Sequence, residues 1–530
     1  MRNTLWLGAT ALLLTGCVSA PVPMSDTQTE AHAQSLVQTL ADGQEPVTGT
    51  IDLYEAMARA LKYNLDHRVS MMEADLARRD YDLSRHDRLP QLVANAGYYS
   101  RNNENGSSSR SLLSGRQSLE PSTSTEKDLL DADLTASWNI LDFGLSYVRA
   151  QQLGNEALVV EERRRKAIID IMEDVHRAYW RAASAQRLNS RLAALESEVR
   201  SAFDSSRALY SARRTAPMPA LSYQRELNDI TAQAQKMQRE LSLAKLELAG
   251  LMNLKPSENF TLSVPSHTSA PRRLALSAGE MVDTAMRNRP EVRESAYLIE
   301  IGEQEMKKAV LETLPGLQLY AGANTNSNDF LFNNDWNGIG AKAGWNVMKL
   351  FSLSDRKARA ASQTTLEQEK ALATAMAVMT QVNVARARYT FLRAEYDTAS
   401  QGAMVQSDIM SQVQAQRQTS AVSEQTLVRE KMNSIISEAR RDSLHADLQE
   451  ASAKIYTAMG YDPYAADIDG TESVSAIAQS LKVLWTERSA NPGMKTAQLR
   501  PQSSSAASQA EVSWTQDSVL KTAAVTDATP

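Results

Sequence analysis

Two stretches decide the fold: Leu89-Pro90-Gln91-Leu92-Val93-Ala94-Asn95-Ala96-Gly97 and Leu314-Pro315-Gly316-Leu317-Gln318-Leu319-Tyr320-Ala321-Gly322. Leu-Pro, a leucine two positions on, and Ala-Gly recur at identical spacing, 225 residues apart. A residue before proline is pushed out of the α region, so a helix arriving at either Leu-Pro stops there. Past each proline the pattern has a period of two. Leu92, Ala94, Ala96 and Tyr98 share one face; Leu317, Leu319, Ala321 and Ala323 alternate with Gln318, Tyr320, Gly322 and Asn324. Alternation of this kind is the period of a β-strand. A helix therefore runs into a strand twice, and the second copy repeats the first.

Working outward, helical patterns lead into the two strands from about Ile51 to Leu89 and from about Ser277 to Leu314. Beyond the strands, Arg101–Glu126 and Asn324–Asn337 are rich in Asn, Ser, Gly and Thr, which reads as exposed loop. A further strand succeeds each loop. In Leu134–Leu141 the residues Leu134, Ala136, Trp138 and Ile140 alternate with Thr135, Ser137 and Asn139. In the other, Ile339, Ala341, Ala343, Trp345 and Val347 alternate with Gly340, Lys342, Gly344 and Asn346. Trp138-Asn139 and Trp345-Asn346 are 207 residues apart, so the second loop is shorter by 18. A very long helix runs from Gly144 to about Ala212 and another to about Gln416, with Tyr179 and Tyr389 at related places. Returning helices end near Leu254 and Met459. Coiled-coil-like seams with 4,3,4,3 spacing run through them: Ile168, Met172, Val175, Tyr179, Ala182; Leu188, Leu192, Leu195, Val199, Ala202; Met237, Leu241, Ala244, Leu248, Leu251; and Leu444, Leu448, Ala451, Ile455, Ala458.

The ends differ in character. Arg2 and the apolar run Leu5–Leu14 form a segment too short to span a bilayer, and Leu14-Thr15-Gly16-Cys17 resembles a bacterial lipobox. Residues 1–16 are expected to be a signal peptide, cut before a lipidated Cys17; Val18 rather than Asp favours the outer membrane. Cys17 is the only cysteine, so no disulfide is possible. Residues 17–50 read as an extended tether, 51–276 and 277–463 as the two repeats joined by the Pro-rich linker Lys255–Leu276, 464–488 as a segment with one amphipathic helix, and 489–530 as a disordered tail. The composition, 21 Gly, 16 Pro and 7 Phe in 530 residues, favours long helices. The net charge of −6 gives no sign of a nucleic-acid partner.

Each strand is about ten residues long, the length that spans a bilayer when tilted. Lipid cannot satisfy an open sheet edge, and the smallest bacterial barrels need about eight strands. Four membrane strands in one chain therefore require other copies. Tyr98, Tyr99, Trp138, Tyr320 and Trp345 would suit an aromatic belt. The order helix, Leu-Pro, strand, loop, strand, Trp-Asn, long helix, turn, helix, twice over, resembles that of TolC-like outer-membrane efflux proteins across roughly 51–463. The resemblance implies a mainly α protein with transmembrane β-structure. It also implies a homotrimer with a shared 12-stranded β-barrel, four strands per protomer, and an α-helical tunnel projecting into the periplasm. It would serve as exit duct of a tripartite efflux or type I secretion system, with a periplasmic adaptor and an inner-membrane transporter as partners and outer-membrane lipid as surroundings. The lipidated start points to the lipoprotein branch.

The helix tips depart from the resemblance. Members often carry Gly in each tip turn and acidic residues just beyond. Here the tips read Arg213-Arg214-Thr215-Ala216-Pro217-Met218-Pro219 and Gln416-Arg417-Gln418-Thr419-Ser420-Ala421-Val422-Ser423. Arg213, Arg214 and Arg417 are the candidate gate and docking residues. No catalytic, cofactor or metal site is expected: the six histidines are scattered, and there is no Gly-rich phosphate loop or nucleophile elbow. The run Glu161-Glu162-Arg163-Arg164-Arg165 reads as a solvated helix face. The competing readings are a lipidated periplasmic adaptor, which would keep its β-domains outside one central hairpin, and a structural surface lipoprotein, which would not need the repeat.

Overall fold

The structure is a computed structural model that describes residues 23–40, 43–118, 120–255, 258–263, 271, 276–418, 422–463 and 472–490. Cys17, the signal segment, residues 464–471 and the tail beyond 490 lie outside the described residues. In chain order the elements are α1 (Asp26–Thr39), β1 (Thr50–Ile51), α2 (Leu53–Tyr63), α3 (Leu65–Ser84), β2 (Gln91–Ser100), β3 (Asp128–Asn139), α4 (Ile140–Ser211), α5 (Pro217–Leu251), β4 (Thr261–Leu262), α6 (Ala278–Asn288), α7 (Pro290–Leu311), β5 (Gly316–Asn326), β6 (Asp335–Gly344), α8 (Leu353–Gln418), α9 (Glu424–Ala458) and α10 (Val474–Ala490).

Several boundaries differ from the expectations of the sequence, each for a local reason. The tether is not wholly extended, because α1 forms within it. Ser25 accepts from the Gln28 N–H while the Gln28 side chain accepts from the Ser25 N–H, a reciprocal cap that needs no burial. The first leading helix is two helices, broken at Asn64 with ψ 129°, where the Asn64 side chain caps α3 by accepting from His67 N–H at 3.1 Å. The second breaks at Arg289, ψ 131°, because Pro290 comes next. Asn64 and Arg289 are 225 residues apart, so the break belongs to the repeat. The strand β3 begins earlier than expected and ends at Asn139, whose side chain caps α4 by accepting from Leu141 N–H at 3.1 Å; Ile140 is thus helical. β6 ends at Gly344, and the Trp345 indole instead donates to Thr313 O at 3.0 Å.

The four long strands form one antiparallel sheet in the order β2-β3-β5-β6. From its end α4 runs 72 residues, about 108 Å at 1.5 Å per residue. Near the sheet α4 packs between α3 and α7, with α8 beyond α7; farther on it packs between α5 and α9, with α8 beyond α9. The seams hold this arrangement. Leu188, Leu192, Leu195 and Val199 of α4 meet Tyr223, Leu227 and Ile230 of α5 and Val428, Met432 and Ile435 of α9, all buried. Each fully buried side chain of this kind contributes about 1.5–3 kcal/mol. At mid-height Met172, Val175 and Tyr179 pack on α2, α5 and the Val474, Ile477 and Leu481 face of α10. The linker is tied there: β4 pairs in parallel with β1, and the Tyr179 and Tyr389 hydroxyls donate to Ser263 O at 2.6 Å and Pro271 O at 3.0 Å.

Candidate functional site

The sheet has two unlike faces and no cover on either. The register sets Leu134 beside Ala94 and Ala323, and Ala321 beside Ile339. This face also carries Leu92, Leu130, Leu317 and Leu319, with Leu92 68% and Ile339 88% exposed. Its charged residues, Asp128 and Asp335, stand only at the loop end. The opposite face is polar: Asp133 lies between Asn95 and Asn324 and accepts from Asn95 Nδ2 at 3.2 Å and Thr135 Oγ1 at 2.9 Å. Asp131, Gln318 and Lys342 share that side. A soluble protein buries the apolar face and wets the polar one; here the apolar face is as bare as the polar one. Of the five aromatics expected in a belt, Tyr98 and Trp138 are on the apolar face, whereas Tyr99 and Tyr320 point to the polar face. The Tyr320 ring lies so close over Gly340 that a Cβ there would come within 2.4 Å of it, so a larger residue would require the ring to swing aside. The outer edges of β2 and β6 pair with nothing in the chain among the described residues.

The helical layer also ends on uncovered edges. On α3, Leu65, Val69, Met72, Leu76 and Leu83 recur at 4,3,4,7 spacing and are 38%, 58%, 64%, 61% and 66% exposed. This second seam is legible as periodicity, but periodicity alone does not separate it from the seams that the chain buries for itself. Among the described residues no helix is long and apolar enough to cross a membrane.

At the far end, Arg213 and Arg214 come directly after α4 and Arg417 closes α8; all three are exposed. Arg213 takes the left-handed conformation, φ 53°, with its N–H donating to Tyr210 O and that of Arg214 to Leu209 O, both at 3.0 Å. This is the Schellman cap in which glycine is usual. Arg417 Nη1 donates to Val422 O at 3.4 Å. No bond joins the three arginines to one another among the described residues. Just above them, Glu226 of α5 pairs with Arg429 of α9, and Glu198 of α4 with Lys431 of α9 at 2.8 Å.

Part of the run expected to be a solvated face is buried. Glu162 and Arg165, one helical turn apart, face the junction between the halves and pair with each other; Arg165 Nη2 also reaches Asp462 at 3.0 Å. Burial raises the Glu162 carboxyl above its usual range against the pull of Arg165 and Arg293. Arg488 of α10, also buried, is lowered to about 10 by desolvation. His176 is enclosed against the Trp485 ring, centroids 5.1 Å apart, and burial lowers its imidazole to about 4. Among the described residues no three His, Cys, Asp or Glu converge as a metal site.

The chain is thus a long-helix protomer with a four-stranded sheet whose two outer edges pair with nothing among the described residues. The family model described as outer membrane efflux protein matches residues 56–254. Three solved channels share the fold. They are the Campylobacter jejuni CmeC outer membrane channel (TM-score 0.62, 13% identity, 88% of this chain and 98% of that one), the open state of the Neisseria gonorrhoeae MtrE outer membrane channel (0.58, 18%, 77% and 88%) and the Vibrio cholerae outer membrane protein VceC (0.57, 14%, 77% and 96%). No curated protein matches the chain. Residues 56–254 thus resemble the outer-membrane efflux proteins, a family of passive conduits and not of enzymes, and the chain shares the fold of the solved channels.

Proposed function

We propose that three copies of this chain form the outer-membrane exit duct of a tripartite efflux system in a Gram-negative envelope. The sheet carries the reading. Its bare apolar face suits lipid, its polar face suits a water-filled lumen, and its two free edges suit pairing of β6 with β2 of the next copy. Three copies supply twelve strands. The long helices then form the periplasmic tunnel, their exposed edge seams meeting between copies. The tips at Arg213, Arg214 and Arg417 are the place of constriction and of contact with a periplasmic adaptor and an inner-membrane transporter. Cys17 is the lipid anchor.

The test is the mass of the detergent-solubilised assembly together with its conductance in a planar bilayer. A trimer with discrete conductance steps is expected; a folded monomer with β2 and β6 protected from hydrogen exchange would refute the shared barrel. Metabolic fatty-acid labelling tests the anchor, with label expected on the wild type and absent from Cys17→Ser.

A further inference from the structure

The two connections at the loop end of the sheet finish on bare apolar tips. The first, residues 101–127, rises as a hairpin: Ser107 and Ser122 exchange backbone hydrogen bonds at 2.9 Å, and Ser111 N–H donates to Arg116 O at 2.8 Å. Its described arms are mainly Ser, Thr, Asn and charged residues, yet Leu112 and Leu113 at its tip are 102% and 101% exposed. The second, residues 327–334, carries Phe330-Leu331-Phe332, with Phe332 98% exposed. Leucine and phenylalanine are among the residues most often withdrawn from water, so Leu112, Leu113 and Phe332 at full exposure, with Phe330 also 57% exposed, ask for a cover. Within one chain the connections are joined at the base, where Asn328 Nδ2 donates to Ser124 O at 3.0 Å and Asn328 Oδ1 accepts from Glu126 N–H at 3.3 Å.

Strand order says what covers the tips. The first connection leaves edge strand β2 and the second enters edge strand β6. Closing β6 of one copy on β2 of the next therefore brings the second connection of one beside the first connection of the other. Their charges are complementary. Arg110 and Arg116 bracket the two leucines, while Asp329 and Asp335 flank the phenylalanines. Among the described residues the ion pair on the first connection is Lys127 with Glu104 at 2.7 Å, and it involves none of these four. Asn328 holds the second connection at the level of Ser124 and Glu126, so the contact needs the first hairpin to fold down over the mouth. An arm of about ten residues reaches roughly 30 Å, enough to lie across a twelve-stranded barrel whose radius, with tilted strands ~4.8 Å apart, is about 12 Å.

We propose that Leu112 and Leu113 of one copy dock on Phe330 and Phe332 of the adjacent copy, with Arg110 and Arg116 facing its Asp329, so that three such contacts make an apolar collar over the outer mouth. The collar rests on the trimeric-barrel reading and adds an outer constriction to it. Apolar constrictions of this kind resist passage of water and hydrated solutes.

The experiment uses the full-length purified protein carrying Leu113→Cys, Phe332→Cys or both, treated with a short bis-maleimide and read over the wild type, whose one cysteine is Cys17. Mass measurement before treatment establishes the trimer. The expected result is a ladder of covalent dimer and trimer with both substitutions and none with either alone. A trimer without the ladder, a ladder with Leu113→Cys alone, or a link confined within one chain overturns the collar and leaves the barrel reading standing. A monomer by mass overturns the barrel reading and the collar with it. In cells, L112S/L113S is expected to raise entry of a bulky hydrophilic solute several-fold with the trimer intact; unchanged entry would remove the constriction.

Discussion

The two halves of the molecule end their returning helices with the same backbone turn and seal it with different chemistry. In α5 the Leu254 N–H donates to Ala249 O at 2.8 Å around a left-handed Asn253, φ 56°. In α9 the Tyr461 N–H donates to Tyr456 O at 3.1 Å around a left-handed Gly460, φ 76°. Asn253 and Gly460 are 207 residues apart, the offset of the Trp-Asn pairs. Asn253 has room to use its side chain, donating to Leu40 O at 2.9 Å. Gly460 has none, since a Cβ there would stand 2.6 Å from the Arg289 backbone nitrogen. The helix breaks answer each other too: Asn64 Nδ2 donates to Leu251 O at 3.1 Å, Arg289 Nη1 to Thr457 O at 3.2 Å. One half is closed by neutral amides and the other by buried guanidinium groups. Duplication preserved the backbone geometry and left the side-chain solution free.

The comparison is broken most severely at the glycine. Gly460→Ala adds a side chain in a left-handed conformation and against a neighbouring backbone, with an expected loss of about 3–4 kcal/mol. Asn253→Gly should cost under about 1 kcal/mol. Thermal unfolding of the solubilised protein followed by circular dichroism checks the pair, and equal shifts would remove the distinction. Asp462→Asn weakens the pair with buried Arg165 and should cost about 3 kcal/mol; Asn64→Ala, loosening the neutral seal, should cost about 1 kcal/mol.

Acid sharpens the contrast from another direction. His176 is neutral in the folded protein, its imidazole lowered from 6.5 to about 4 by burial. The unfolded chain binds a proton below 6.5 that the folded one refuses, so stability is intact above that pH and falls as pH drops from 6.5 to 4. The loss approaches about 3 kcal/mol, and His176→Leu should flatten this part of the pH profile of the melting temperature. The smallest effect belongs to the third cap of the same kind. Arg213 is left-handed at an exposed tip, so Arg213→Gly should stabilise by up to about 1 kcal/mol; a loss would show that the arginine side chain holds the turn.

Much of this is legible in the sequence because it is periodic. The strands alternate, the seams recur every three and four residues, and the 225-residue offset ties the halves together. The hidden parts depend on particular partners. The start of β3 is hidden because Asp131 and Asp133 give it a loop-like composition, although alternation places them on the polar face. The break at Asn64 depends on a side-chain cap, while that at Arg289 is visible in Pro290. Burial of Glu162 and Arg165 is set by Asp462, nearly 300 residues away. At the candidate gate the sequence names the tip arginines and their missing glycine, but only the backbone shows that Arg213 is the residue in the left-handed position.

In the proposed shared barrel, the free edges of β2 and β6 have a consequence for the order of events in biogenesis. A lone copy entering hydrocarbon would carry two rows of unpaired amide and carbonyl groups with it, each costing several kcal/mol. Insertion of single copies followed by lateral assembly is thus the expensive route. The cheap one joins the copies at the membrane surface and commits them together, so the rate of channel formation should rise more steeply than linearly with the number of chains waiting there.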